Sequence, residues 1–251
     1  MFKSIIIAFS MYSKIPMPSI EWNEKSMKYS LCFFPLVGVA IGIVGYFLIT
    51  VLEVFKFSYI LKASLLTVLP VIINGGIHMD GFLDTVDAKS SYKPREEKLK
   101  ILKDPNTGAF AVIYGIVYML VMFGFFSEVE RNEYIYIALG YVYSRVLSGM
   151  SVVSLKKARK EGMAVSSANA SSKSVNIIMT AELLLCILIF LYLNPAAGGI
   201  CVLAGIICFL YYRSMTYRLF GGITGDIAGY FLQVCEICIL IAVVIVKGLI
   251  L

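Results

Sequence analysis

Residues 31–52 read LCFFPLVGVAIGIVGYFLITVL, a run of 22 residues without a charged side chain. As an α-helix, such a run is about 33 Å long, enough to cross the roughly 30 Å hydrocarbon core of a bilayer. Six further apolar stretches follow it, at residues 59–78, 109–126, 134–153, 175–193, 196–212 and 227–246. The sequence therefore predicts an all-α fold, a polytopic membrane helix bundle with about seven transmembrane helices.

The composition supports a membrane protein over a soluble one. Of the 251 residues, 59% are hydrophobic and only 15% are charged, whereas soluble domains carry about 25% charged residues. This balance excludes disordered chains, nucleic-acid-binding modules and secreted disulfide scaffolds. Residues 1–18 are too short to span and are interrupted by Lys3, Lys14 and Pro16, so they are predicted to form an interfacial helix. We interpret residues 1–251 as a single integral membrane catalytic domain.

Basic residues are distributed unevenly between the two sides of the predicted bundle. Seventeen of the 22 Lys and Arg residues fall in alternate connections, at residues 1–28, 89–103, 156–173 and 213–218. Cytoplasmic loops carry such an excess. The pattern predicts a protein of the cell membrane with its N-terminus in the cytoplasm and its C-terminus outside.

Aspartate residues are few, and all of them lie on the predicted cytoplasmic side. Asp80, Asp84 and Asp87 are spaced i, i+4 and i+7, which places them on one face of a helix. Three carboxylates this close favour a divalent cation, and an all-oxygen ligand set favours Mg²⁺, Mn²⁺ or Ca²⁺. Capping of a helix start would account for one of them. The neighbouring His78 is either a further ligand or a hydrogen-bonded residue at the helix end.

A glycine-rich turn, GGITGDIAG at residues 221–229, forms a second candidate site. Its glycines allow close backbone approach, and the amides of the following helix favour a phosphate. Asp226 is a candidate metal ligand, and the candidate substrate-binding residues here are Gly222, Thr224, Gln233 and Glu236. Glu236 lies about 15 Å along the helix from Asp226 and is expected to face the bundle interior.

Three further charged residues are candidates for substrate contacts. Arg145 lies near the middle of the fourth predicted span, where it either contacts substrate or pairs with Glu182 or Glu236. Lys103 and Asp104 follow the aspartate cluster and suit phosphate oxygens. The alternative is that their segment is a solvated amphipathic helix.

A metal ion held by acids beside Lys, Arg and backbone amides is typical of phosphoryl or nucleotidyl transfer. A site at the cytoplasmic edge of a membrane could join a soluble substrate to an amphiphilic one.

Residues 75–87, GGIHMDGFLDTVD, are similar to the signature of the cobalamin synthase (adenosylcobinamide-GDP ribazoletransferase) family. The resemblance covers nearly the whole chain in one order. Its other matches are KIPMP at 14–18, Tyr29-Ser30, FPLVG at 34–38, KLKILKD at 98–104, Ser144-Arg145, and residues 221–229 with Gln233 and Glu236.

The resemblance implies a Mg²⁺-dependent enzyme that joins adenosylcobinamide-GDP to α-ribazole, or to α-ribazole 5′-phosphate, and releases GMP. A metal held by Asp80, Asp84, Asp87 and Asp226 is then expected, with one carboxylate accepting a proton. Lys103 and Arg145 would contact phosphate. The chain departs from the family at residues 104–108, where DPNTG replaces Asp-Ser-Arg before the glycine. The expected partners are these substrates and membrane lipid, without nucleic acid; the oligomeric state, including a homo-oligomer, stays open.

Two alternative functions remain for the aspartate motif. A CDP-alcohol phosphotransferase also begins its motif with Asp-Gly, but the Ala-Arg that follows there is replaced by Asp84-Thr85. A divalent cation transporter would place acids or broken helices near the bilayer midplane, whereas these acids cluster at one surface.

Overall fold

The computed structural model describes residues 1–171 and 173–249. They form α-helices joined by short connections, without a β-strand among the described residues, which confirms the all-α prediction. The helices are α1 (Phe2–Tyr12), α2 (Glu24–Met27), α3 (Ser30–Val54), α4 (Tyr59–Asn74), α5 (Ile77–Ser90), α6 (Arg95–Ile101), α7 (Ala109–Phe126), α8 (Arg131–Ser154), α9 (Met163–Ala170), α10 (Lys173–Leu193), α11 (Pro195–Leu219) and α12 (Gly225–Ile245).

Within the described residues, five helices are long and apolar enough to cross a membrane, namely α3, α7, α10, α11 and α12. The pair α4 and α5 would make a sixth span, but the two helices are bent by 95°. The predicted continuous span 59–78 is therefore wrong in its second part. Gly75 and Gly76 both have positive φ, 64° and 79°, and two such residues in a row turn the chain out of the helix.

Helix α8 contains the remaining predicted span, residues 134–153, but it is not one of the five helices that are long and apolar enough to be identified as spans from composition. It is nevertheless 24 residues long, about 36 Å as an α-helix. Just before it, Glu128 accepts a bond of 2.8 Å from Lys247, which follows α12. Just after it, the carbonyl of Lys156 accepts a hydrogen bond of 2.8 Å from the amide of Ile223, which precedes α12. Helix α8 therefore runs antiparallel to α12, between the same two ends of the bundle.

The core lies around α8 and α12. Helix α12 packs against α5, α8 and α11, and α8 packs against α3 and α10. Outward-facing apolar side chains, such as Phe47, Ile116 and Leu188, are more than half exposed. Such a surface suits lipid and not water.

The predicted N-terminal helix is present as α1 and packs along α3 through buried side chains that include Ile7 and Met11. The amide of Lys14 donates 2.7 Å to the carbonyl of Ile73 at the end of α4. This bond brings the chain after α1 to the break between α4 and α5, where the aspartate helix begins.

Candidate active site

The three spaced aspartates lie on one helix, α5, as predicted, and that helix packs directly on α12. The contact centres on Gly81, where an added Cβ would lie 2.6 Å from the carbonyl oxygen of Asp226. A second glycine, Gly229, brings α12 against the backbone of His78. Because a Cβ has no room at Gly81 and little room at Gly229, the close approach that brings Asp226 beside the α5 aspartates is built into the sequence.

The charges of the other three acids act on Asp84. Helix α5 turns away from the apolar α4, and we place it outside the membrane spans because three carboxylates are costly in hydrocarbon. Burial raises the pKa of Asp84 to about 6, and the charges of Asp80, Asp226 and Asp87 add to the shift in that order. The neighbouring negative charges disfavour the ionised form of Asp84, and a bound cation would relieve this repulsion.

The acids fit a magnesium ion that is completed by substrate, and not a closed protein cage. Among the described residues, no group of three or more His, Cys, Asp or Glu side chains is placed to hold a metal by itself. Mg²⁺ usually keeps several waters and is bound through one or two carboxylates together with substrate phosphates. Carboxylates on two facing helices, partly open to solvent, provide that donor set.

Arg159, which the sequence did not single out, lies beside the acids. Its Nη1 is 3.7 Å from Oδ2 of Asp226, and its Nη2 donates to the carbonyl of Leu99. In the sequence it is one of several basic residues after α8 and looks like a topology signal. Only the folded chain distinguishes it from its neighbours.

The glycine-rich turn explains how Arg159 reaches Asp226. The amide of Ala158 donates 2.9 Å to the carbonyl of Ile223, within a short parallel bridge between the two loops. A Cβ on Gly222 would lie 2.6 Å from the amide nitrogen of Ala158. Gly222 thus lets the turn lie flat on the loop that carries Arg159.

Thr224 orients the start of α12. As the N-cap, its Oγ1 accepts a hydrogen bond of 3.3 Å from the amide of Ile227. The same hydroxyl donates a hydrogen bond of 3.2 Å to Oδ2 of Asp226. This geometry holds the Asp226 carboxylate at the first turn of α12, where the positive end of the helix dipole favours an anion.

A basic groove lies on the Arg159 side of Asp226. It has a volume of about 340 Å³, and its lining contains one acidic residue, Glu161, beside Leu99 and the four basic residues Lys100, Lys103, Arg159 and Lys160. The structure therefore brings Lys103 together with Arg159. It does not bring Asp104 into the acid cluster: Asp104 is exposed and accepts bonds of 2.9 and 2.8 Å from the main-chain and side-chain nitrogens of Asn106.

Asp226 also lines an aromatic cavity of about 170 Å³, together with Asp80 and the rings of Tyr12, Phe34 and His78. The ring centroids of Tyr12 and Phe34 are 4.2 Å apart, and those of Phe34 and His78 are 5.6 Å apart. His78 is buried, and its Nε2 has no hydrogen-bond partner in the described part of the chain. Two of the four acids thus adjoin the cavity.

The remaining candidates lie deeper in the bundle. Arg145 is fully buried and forms an ion pair of 2.8 Å with Glu236, which selects Glu236 over Glu182 as its partner. Its Nε and Nη2 have no partner among the described residues, and its guanidinium lies 5.8 Å from the Phe34 ring centroid. Gln233 accepts 2.6 Å from the Tyr118 hydroxyl. None of these three residues lines the aromatic cavity.

Comparison with known proteins gives a consistent result over nearly the whole chain. A protein of Lachnoclostridium phytofermentans named adenosylcobinamide-GDP ribazoletransferase is 46% identical over 248 residues, which cover 98% of this chain and 95% of that protein. Proteins with the same name from Clostridium botulinum (strain Alaska E43) and Pseudomonas fluorescens (strain SBW25) are 34% and 29% identical. Each alignment covers 94% of this chain, and respectively 95% and 96% of the relative. No solved structure gives a significant match.

Residues 4–244 also match the family described as Cobalamin-5-phosphate synthase. The match spans both the aspartate helix and the glycine-rich turn, and it favours neither the CDP-alcohol phosphotransferases nor a cation transporter. The chain belongs to the Cobalamin-5-phosphate synthase family.

Proposed function

We propose that this protein is a Mg²⁺-dependent adenosylcobinamide-GDP ribazoletransferase that takes α-ribazole or its 5′-phosphate as acceptor. The observation that carries the proposal is the packing of the aspartate helix α5 on the start of α12, where Asp80 and Asp226 line the aromatic cavity and Asp226 faces Arg159 of the basic groove. Transfer between a diphosphate and a nucleoside hydroxyl needs such a centre, with cations for the phosphates and room for the acceptor beside the carboxylates.

In the reaction, a ribose hydroxyl oxygen of the acceptor forms a bond to the phosphorus next to cobinamide. The bond from that phosphorus to the bridging oxygen breaks, and GMP leaves with the bridging oxygen. The hydroxyl proton passes to a carboxylate of the cluster and then to solvent. Lys103 and Arg159 face the phosphate oxygens from the basic groove and offset their charge.

When held by one or two of these aspartates together with substrate phosphates, Mg²⁺ would neutralise the diphosphate and stabilise the leaving phosphate. Thr224 and Gly222 act through Asp226 and Arg159, by holding the two side chains 3.7 Å apart. Gln233, Glu236 and Arg145 support α12 and α8 from within the bundle. His78 lies at the acceptor side.

We place this site on the cytoplasmic side of the cell membrane, because the loops that form it carry most of the basic residues. The whole bundle serves as one catalytic domain, with lipid around its apolar faces.

The test is GMP release by purified protein in detergent, supplied with adenosylcobinamide-GDP, α-ribazole and Mg²⁺. We expect turnover that EDTA abolishes and added Mg²⁺ restores. Asp80→Asn should lower turnover at least a hundredfold, since it removes a charge from the metal site, whereas Glu96→Gln on the exposed face of α6 should leave it unchanged. Well-folded wild-type protein that releases no GMP would refute the proposal. Wild-type activity in the Asp80 variant would remove that residue from the site.

A further inference from the structure

The aromatic cavity is apolar on most of its surface and polar on one side. Leu31, Val152 and Leu232 complete the walls formed by the three rings. Asp80 and Asp226 form the polar side, and Asp80 is exposed to solvent. A ligand that fills the cavity must therefore have a flat apolar part, with a polar part that extends towards the carboxylates.

We propose that this cavity binds the benzimidazole ring of α-ribazole, with Tyr12 and Phe34 as its stacking partners and His78 as its hydrogen-bond partner. The inference rests on the proposed function and adds to it the residues that select the acceptor base.

The size of the cavity excludes the other substrate's corrin ring. An apolar cavity of about 150 Å³ suffices for a benzene molecule, so about 170 Å³ accommodates one flat ring system with small adjustments of its walls. A corrin macrocycle is several times larger and would have to lie outside. Size alone leaves three candidates, namely the benzimidazole of the acceptor and, in the donor, its guanine and the adenine of its adenosyl group.

The polarity of the walls favours the benzimidazole. Guanine and adenine carry polar atoms along several edges, and the walls of Leu31, Val152 and Leu232 offer no partners to those that face away from the carboxylates, so their burial is costly. The benzimidazole of a riboside has one free polar atom, the ring nitrogen that does not carry the sugar. His78 Nε2 is a buried nitrogen without a hydrogen-bond partner in the described residues. In the tautomer that carries the proton on Nε2, it would donate one hydrogen bond to the free ring nitrogen of the benzimidazole. The His78 nitrogen would therefore match the free ring nitrogen of the benzimidazole as its hydrogen-bond donor.

The location of the cavity suits the acceptor as well. Asp226 lines the cavity and also faces Arg159 at 3.7 Å, on the side of the basic groove. A base that fills the cavity and packs against its aromatic wall directs its ribose towards Asp80 and Asp226. The attacking hydroxyl is then held beside the same carboxylate that faces Arg159, so acceptor and diphosphate are brought to one place, as transfer requires.

The experiment measures binding and turnover separately. We compare Phe34→Leu with a matched control on the same helix, Phe47→Leu, whose side chain faces outward and is 69% exposed. The dissociation constant of α-ribazole is measured by calorimetry in detergent without the second substrate. Loss of a stacking ring should raise this constant about tenfold in Phe34→Leu, and leave it unchanged in Phe47→Leu. The KM for adenosylcobinamide-GDP should be the same in both variants.

A second measurement uses wild-type protein and so does not depend on the folding of a variant. Free benzimidazole should inhibit turnover competitively against α-ribazole and not against adenosylcobinamide-GDP, and guanosine should not displace α-ribazole. Equal α-ribazole affinity in the two variants, or displacement of α-ribazole by guanosine, would overturn the assignment. These outcomes are distinct from failure of the proposed function, in which wild-type protein releases no GMP at all.

Discussion

Arg145 and Glu236 are the residues whose role the sequence left most open. They meet at 2.8 Å with side chains that are 0% and 3% exposed, and the pair joins α8 to α12. Removing one partner of a buried ion pair leaves an uncompensated charge and typically costs about 3–5 kcal/mol, whereas replacing both by apolar residues is often neutral. The pair therefore has a structural explanation that does not involve phosphate.

We expect Glu236→Leu to lower the melting temperature strongly, and the double variant Arg145→Met with Glu236→Leu to recover most of the loss. The double variant should also keep turnover within about threefold of wild type, since the pair orients the helices and does not contact substrate. Thermal melts and GMP release in detergent give the two readings. If the double variant melts like wild type but has lost turnover, Arg145 contacts substrate as the family resemblance implied.

At the scale of secondary structure, the site depends on how closely α5 approaches α12. Ala at position 81 would place a Cβ 2.6 Å from the carbonyl oxygen of Asp226 and 2.9 Å from its Cα, so the helices would have to separate. We expect Gly81→Ala to lower turnover at least tenfold and to raise the Mg²⁺ concentration needed for half-maximal rate. It should also destabilise the fold by about 1–3 kcal/mol, despite the better helix propensity of alanine.

The matched control for this prediction is Gly124→Ala on α7, where an added Cβ meets no atom within 4 Å. It should leave turnover unchanged and the melting temperature equal or slightly higher. Wild-type turnover and Mg²⁺ dependence in Gly81→Ala would show that the spacing of α5 and α12 does not set the geometry of the acids.

The same two helices show what the sequence could and could not reveal about the site. The i, i+4, i+7 spacing predicted Asp80, Asp84 and Asp87 on one face of a helix, because that inference needs only local periodicity. The break between α4 and α5 was missed, since apolar composition continues past Gly75 and Gly76 to Ile77. Arg159 was missed for a different reason: its approach to Asp226 depends on a loop pairing between residues far apart in the chain.

On the scale of the whole molecule, the path of α8 determines on which side of the membrane each loop lies. Seven crossings with the N-terminus inside require α8 to cross the bilayer. Its composition alone does not identify it as a membrane span. Its polar groups do not contradict such a path, because Arg145, Ser144 and Ser148 are buried against neighbouring helices. Charged and polar residues in a spanning helix are tolerated when they face the bundle interior.

Cysteine labelling tests this path. Glu128 and Lys160 are exposed and lie before and after α8, so single Glu128→Cys and Lys160→Cys variants should be modified from opposite sides. We expect a membrane-impermeant maleimide to label Glu128→Cys in intact cells, and Lys160→Cys only after permeabilisation, because the basic loops face the cytoplasm. Wild-type protein is the control: five of its six cysteines are buried and Cys238 is partly exposed within α12. Labelling of both variants from one side would show that α8 does not cross, and the reverse order of labelling would invert the orientation and move the proposed site outside the cell.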